Sequence, residues 1–102
     1  MSTQTVASSG IISKATDHIR SRGGSYGDWY AGVTASPKQR LFVDHNVDQA
    51  NGKWAYWDCG TDTVARDAEA YFLNQGCKGG GGGGDSTARF FYIYKITQST
   101  NP

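Results

Sequence analysis

The segment Phe90-Phe91-Tyr92-Ile93-Tyr94-Lys95-Ile96 is apolar at odd and even positions alike. Successive side chains of a strand point to opposite faces, so a strand of this composition has to be covered on both sides. It reads as the central strand of a sheet packed on each face. A chain of 102 residues holds one domain rather than two. Two further segments read as strands. Residues 28–34 alternate, with Trp29, Ala31 and Val33 on one side and Tyr30, Gly32 and Thr34 on the other. Lys53 to Asp58 carries Trp54, Tyr56 and Trp57.

Helical signals lie between the strands. Ile12, Ala15 and Ile19 share one face of a short amphipathic helix from about Ile12 to Arg22, stopped by Gly23-Gly24. A second helix starts at Ser36, with Ser36 as N-cap, Pro37 at the first helical position and Gln39 completing a capping box. Leu41 and Phe42 face the core, and Asp44 to Gly52 reads as polar loop. A third helix opens at the N-cap candidates Thr61, Asp62 and Thr63 and ends at Gly76. Its stripe is Val64, Ala68, Tyr71 and Phe72, with Glu69 at the edge and Arg66 and Asp67 pointing away. The order α-β-α-β-α-β gives an α+β fold: a small, mainly antiparallel three-stranded sheet flanked by helices. Residues 1–9 read as a flexible tail and residues 10–102 as the single domain, interrupted by a flexible glycine loop over 79–84.

Charge and cysteines narrow the function. Ten Lys and Arg against nine Asp and Glu leave a net charge of +1. That excludes a strongly basic, nonspecific nucleic-acid coat but not a local basic cleft. Cys59 and Cys77 lack the partners of a zinc site and read as reduced, partly buried thiols. The polar start Met1-Ser2-Thr3-Gln4-Thr5 is unlike a signal peptide, and no stretch reaches the length of a membrane span. The expected setting is cytoplasmic, without a membrane partner. The glycine run is not followed by Lys and Ser/Thr or by a helix start, so it is no P-loop.

Polar chemistry concentrates in one stretch. Tyr30, Gly32, Lys38, Arg40 and His45 fall within sixteen residues. Each also has an ordinary structural role. Tyr30 suits a packed strand, Arg40 can pair with Asp44 one turn on, and His45 suits a helix C-terminus. Glu69 can pair with Arg66 or face solvent, and His18, on a helix beside charged residues, reads as solvent-facing. Trp54, Tyr56 and Trp57 suit a core but could also stack bases.

The stretch resembles the GIY-YIG nuclease family over roughly residues 28–75. Tyr30-Ala31-Gly32 stands where that family has its YIG strand, with Ala31 in place of a bulkier apolar residue. Arg40 falls eight residues after Gly32, as the family's catalytic arginine does. His45 lies near the position of a His or Tyr at the end of that helix. Glu69, in Ala65-Arg66-Asp67-Ala68-Glu69-Ala70-Tyr71-Phe72, looks like the metal-binding glutamate. The resemblance implies phosphodiester cleavage of nucleic acid, DNA included, with Mg²⁺ or Mn²⁺. Tyr30 would orient or activate water, Arg40 would stabilise developing charge, and His45 would assist proton transfer. Glu69 would hold the metal, and Gly32 and Lys38 would bind substrate. The first motif has no full match, since Gly10-Ile11-Ile12 lacks its tyrosine. Tyr92 or Tyr94 on the last strand would fill that place, as if the order were permuted. The alternative is a non-catalytic interaction module of the same fold, acting as a homodimer or on a protein partner. A third reading is a small-molecule or nucleotide binder using the glycine loop.

Overall fold

The computed structural model describes residues 3–79 and 87–102, with the side chains of residues 3–7 outside that description. Met1 and Ser2 of the expected tail, and Gly80 to Ser86 with most of the glycine run, lie outside the described residues. Three strands form one antiparallel sheet: β1 (Trp29–Thr34), β2 (Trp54–Asp58) and β3 (Phe90–Lys95), in the order β1-β3-β2. The last strand in sequence is thus the central one. Phe91, Tyr92, Ile93 and Tyr94 are all buried, as a strand apolar on both faces requires.

The two faces carry separate cores. Trp29, Ala31 and Val33 join Phe91 and Ile93 on one face. That face is covered by α1 (Thr3–Arg22), through Ala15 and Ile19, and by α2 (Asp62–Gln75), through Ala65, Ala68 and Phe72. The Phe72 and Phe91 rings stack with centroids 5.6 Å apart. Tyr30, Tyr92 and Tyr94 occupy the opposite face with Leu41 and Val47.

α1 starts at Thr3 and so takes in residues expected to belong to a tail. Gly10 lies inside this helix, which tolerates one glycine at a cost of about 1 kcal/mol. α2 is capped as expected. The Thr61 hydroxyl accepts from the Val64 N–H at 3.2 Å, and Gly76 ends the helix at φ 117°. The buried stripe is Ala65, Ala68, Glu69 and Phe72, and Tyr71 is exposed rather than packed. Two alanines at i, i+3 let this face approach the sheet closely, which turns Tyr71 outward. After α2 the chain returns beside β1, where Lys78 N–H donates to Trp29 O at 2.8 Å and Lys78 O accepts from Ala31 N–H at 2.9 Å.

The helix expected from Ser36 opens with Arg40 N–H bonded to Ser36 O at 3.1 Å. It then widens into a π helix over Gln39–Asp44, and His45 N–H reaches Arg40 O at 2.8 Å. The extra residue in the turn seats Leu41 in the core with no exposed surface and carries His45 inward. Among the described residues no helix is long and apolar enough to cross a membrane. Cys59 and Cys77 are buried and unbridged, and burial raises both thiol pKa values, Cys77 to about 11.

Candidate functional site

Antiparallel pairing of β1 with β3 sets Tyr30 opposite Tyr94 and Gly32 opposite Tyr92. Alternation sends all three phenols to the same face. The Tyr30 and Tyr94 rings stack at 5.1 Å, with Tyr92 6.2 Å from Tyr30. His45 comes in from the end of the π helix with its ring centroid 4.6 Å from Tyr30. It is 4% exposed, so it is a buried member of the cluster rather than a solvated helix end.

Hydrogen bonding fixes how His45 is used. Its Nδ1 lies 2.6 Å from Asn101 O and its Nε2 lies 2.7 Å from the Tyr92 hydroxyl. A carbonyl oxygen only accepts, so Nδ1 carries the proton. Burial lowers the His45 pKa, with Arg40 adding to the effect while Asn101 and Asp44 oppose it. The ring is therefore neutral at pH 7, and its bare Nε2 accepts from Tyr92. The Tyr94 hydroxyl sits 3.1 Å from Nδ1 and donates to Asn101 O at 3.4 Å. Asn101 is held in turn, since its N–H donates to His45 O at 2.7 Å.

Arg40 completes this side. Its guanidinium lies against the Tyr92 hydroxyl and forms an ion pair with Asp44 at 3.2 Å. Burial works against the Arg40 charge, but Tyr92 and Asp44 outweigh it and raise the pKa. Burial and the neighbouring Tyr30 push the Tyr92 phenol up to about 12, against the pull of Arg40. Burial also raises Tyr94. Both groups are protonated phenols at neutral pH.

Glu69 approaches from α2. It is buried, and burial raises its pKa while Arg66 opposes the shift. It shares its buried stripe with Ala65, Ala68 and Phe72, which pack on the sheet face opposite the tyrosines. Among the described residues no three His, Cys, Asp or Glu side chains gather as a metal cage. Glu69 would offer one carboxylate to a divalent ion, and its burial favours the protonated form over the charged one.

The predicted set thus separates. Tyr30, Arg40 and His45 meet around Tyr92, whereas Glu69 comes from the helix that covers the opposite face. Lys38 is exposed on the first turn of the helix. Gly32 has a different task from the one expected. A Cβ there would lie 2.6 Å from the Tyr92 hydroxyl, so the space belongs to the Tyr92 ring and not to a phosphate backbone. His18 is half-buried, edge-on to Trp29 and Trp57, instead of facing solvent.

The cluster opens at Tyr30. An open hollow of about 500 Å³ is lined by Tyr30, Lys78, Gly79, Ile96 and Pro102. Lys78 and Asn101 had no signal in the sequence, because both enter through backbone groups far along the chain from Tyr30 and His45. No protein-family model, curated protein or solved structure matches the chain.

Proposed function

We propose that this chain cleaves phosphodiester bonds of nucleic acid with Mg²⁺ or Mn²⁺, as a permuted relative of the GIY-YIG nucleases. One observation carries the reading: β3 lies beside β1 and brings Tyr92 and Tyr94 against Tyr30, His45 and Arg40. On this reading one of them takes the place of the first motif's tyrosine, from the other end of the chain. A substrate phosphate would enter by the hollow at Tyr30. Arg40 offers a guanidinium to the phosphate oxygens as charge develops. Tyr30 orients the attacking water. As the water loses its proton to the Tyr92 oxygen, Tyr92 passes its own proton to His45 Nε2, and Asn101 O holds the imidazolium that results. Glu69 would hold the metal, which when bound supplies charge neutralisation at the phosphate.

A second reading, a non-catalytic interaction module, has its own observation. Tyr92 is 1% and His45 4% exposed, so the relay is closed to solvent. Val43, 63% exposed on the π helix, supplies apolar surface. Cleavage of labelled single- and double-stranded DNA with Mg²⁺ or Mn²⁺ separates the two. The nuclease loses at least a hundredfold in rate, on the order of a general acid–base contribution, in Tyr92→Phe, Arg40→Ala and Glu69→Ala with unfolding temperatures retained. Absence of cleavage by the parent chain leaves the module.

A further inference from the structure

We propose that the outer part of the same sheet face is a stacking platform for unpaired bases, so that the nucleic acid taken by this chain is single-stranded. The inference rests on the nuclease reading for its choice of nucleic acid as occupant. It adds the strandedness of the substrate and a second contact region.

The platform is built from Phe42, Trp54, Tyr56 and Phe90. Trp54 and Tyr56 are alternate residues of β2, so their rings leave the sheet on one side. The rings lie nearly parallel, 13° apart, with centroids separated by 6.2 Å. Phe42 meets Trp54 edge-on at 4.8 Å, and Phe90 meets Tyr56 edge-on at 6.1 Å. The Trp54 indole N–H is tied to Gln49 O at 3.1 Å. These contacts hold the rings in place before any ligand arrives, and all four remain half-buried rather than enclosed. The helices α1 and α2 pack on the opposite face, and Leu41 and Val47 of this face lie with the tyrosines.

Two features favour a nucleic-acid strand as the occupant. The row is continuous with the Tyr30, Tyr92 and His45 cluster, because Phe42 and His45 come from neighbouring turns and Trp54 is paired with Tyr94. Cations also stand at its ends. Lys53 precedes β2, and the Arg89 guanidinium, ion-paired with Asp58 at 3.0 Å, lies 5.4 Å from the Phe90 centroid. Ring spacing decides between duplex and single strand. Stacked duplex bases rise about 3.4 Å per nucleotide, little more than half the Trp54–Tyr56 separation, and their faces already cover one another. Successive bases can each take a ring of this row only when the strand is unpaired and stretched.

The test is binding without divalent metal, which removes cleavage from the readout. Anisotropy of a labelled oligothymidine is compared with a duplex and with an abasic oligonucleotide of equal length. The platform predicts binding of the oligothymidine, with the duplex and the abasic strand each weaker by roughly tenfold or more. Trp54→Ala lowers the oligothymidine affinity by roughly tenfold, and Trp54→Phe restores most of it. Tyr56→Leu keeps apolar bulk and lowers affinity in the same direction, with circular dichroism confirming the fold of each variant. Equal binding of abasic and base-bearing strands overturns the inference, as does equal or tighter duplex binding. So does absence of binding, whether or not sedimentation shows a second copy on this face. Base-dependent binding by a chain that cleaves nothing with Mg²⁺ or Mn²⁺ leaves the platform standing and the nuclease reading fallen. Cleavage without base-dependent binding does the reverse.

Discussion

His45 is the residue whose chemistry is most fully specified by its neighbours. A free neutral imidazole can carry its proton on either nitrogen, but here Asn101 O claims Nδ1 and Tyr92 donates to Nε2. Long-range ¹H–¹⁵N spectra should therefore show the Nδ1–H tautomer at neutral pH, and a chain lacking Asn101 and Pro102 should lose that preference. An Nε2–H signal in the full chain would overturn the assignment. His18 presents the opposite case. Its Nε2 is buried without a hydrogen-bond partner, between the rings of Trp29 and Trp57. Burial, helped by Arg22, lowers its pKa to about 4. The unfolded chain then binds more protons than the native one from the ordinary histidine value down to that point. Stability is full above the ordinary histidine value and falls as the pH drops towards about 4. His18→Phe removes the orphaned nitrogen and should raise stability by about 1 kcal/mol at neutral pH. It should also flatten part of the acid decline in denaturant midpoints, leaving the share due to His45, which is lowered as well. An unchanged pH profile in that variant would count against a neutral, buried His18.

At the scale of elements, the junction of β1 with β3 matters most, and Gly32 controls it. The Tyr92 ring fills the space a side chain would occupy there. Gly32→Ala should cost about 1–3 kcal/mol by overpacking and push the Tyr92 hydroxyl off His45. Tyr92→Leu in the same chain should recover most of the Gly32→Ala cost, which a double-mutant cycle by denaturant unfolding measures directly. Additive losses would mean that the two positions do not meet. The same junction explains what could be read from the sequence. A strand apolar on both faces can only be central, so the place of β3 followed from seven consecutive residues. The caps of α2 are local signals, and Thr61 and Gly76 act where they stand. Tyr30, Arg40 and His45 were legible because a strand and a short helix keep them close in sequence. Tyr92 and Tyr94 were both candidates on the last strand, and only the packing decides that Tyr92 meets His45 Nε2; Asn101 acts through a backbone carbonyl 56 residues from His45, which no side-chain pattern announces. The π winding was illegible for a related reason. Ser36-Pro37 marks where a helix begins, but its pitch is set by how Leu41 and His45 dock on the sheet.

For the whole molecule, the central question is whether the two faces of the sheet stand or fall together. The helical face has the larger core, with α1 and α2 packed on it. The other face is held by Leu41, Val47, the tyrosines and His45, and its cover is a six-residue π helix with the segment after β3. A cover so short has too few hydrogen bonds to persist on its own, so its order depends on the sheet beneath. The sheet depends on the cover in return, because Tyr92 and Tyr94 would otherwise expose their rings and hydroxyls on the central strand. Both faces share β3, whose alternate residues Phe91 and Ile93 belong to one core and Tyr92 and Tyr94 to the other. Shared backbone of this kind predicts one cooperative transition. Phe72→Ala in the helical core should cost about 3–5 kcal/mol and Leu41→Ala on the other face about 2–5 kcal/mol. In both variants, tryptophan fluorescence and far-ultraviolet circular dichroism should give coincident denaturant curves with an unchanged slope. If Leu41→Ala instead melts the tyrosine face early, the fluorescence of Trp54 departs from the helical signal and the midpoints separate. The candidate site would then sit on a locally unfolding cover rather than on the rigid sheet. A buried proton relay needs that rigidity, so coincident transitions are the outcome expected of a chain that uses this face for chemistry.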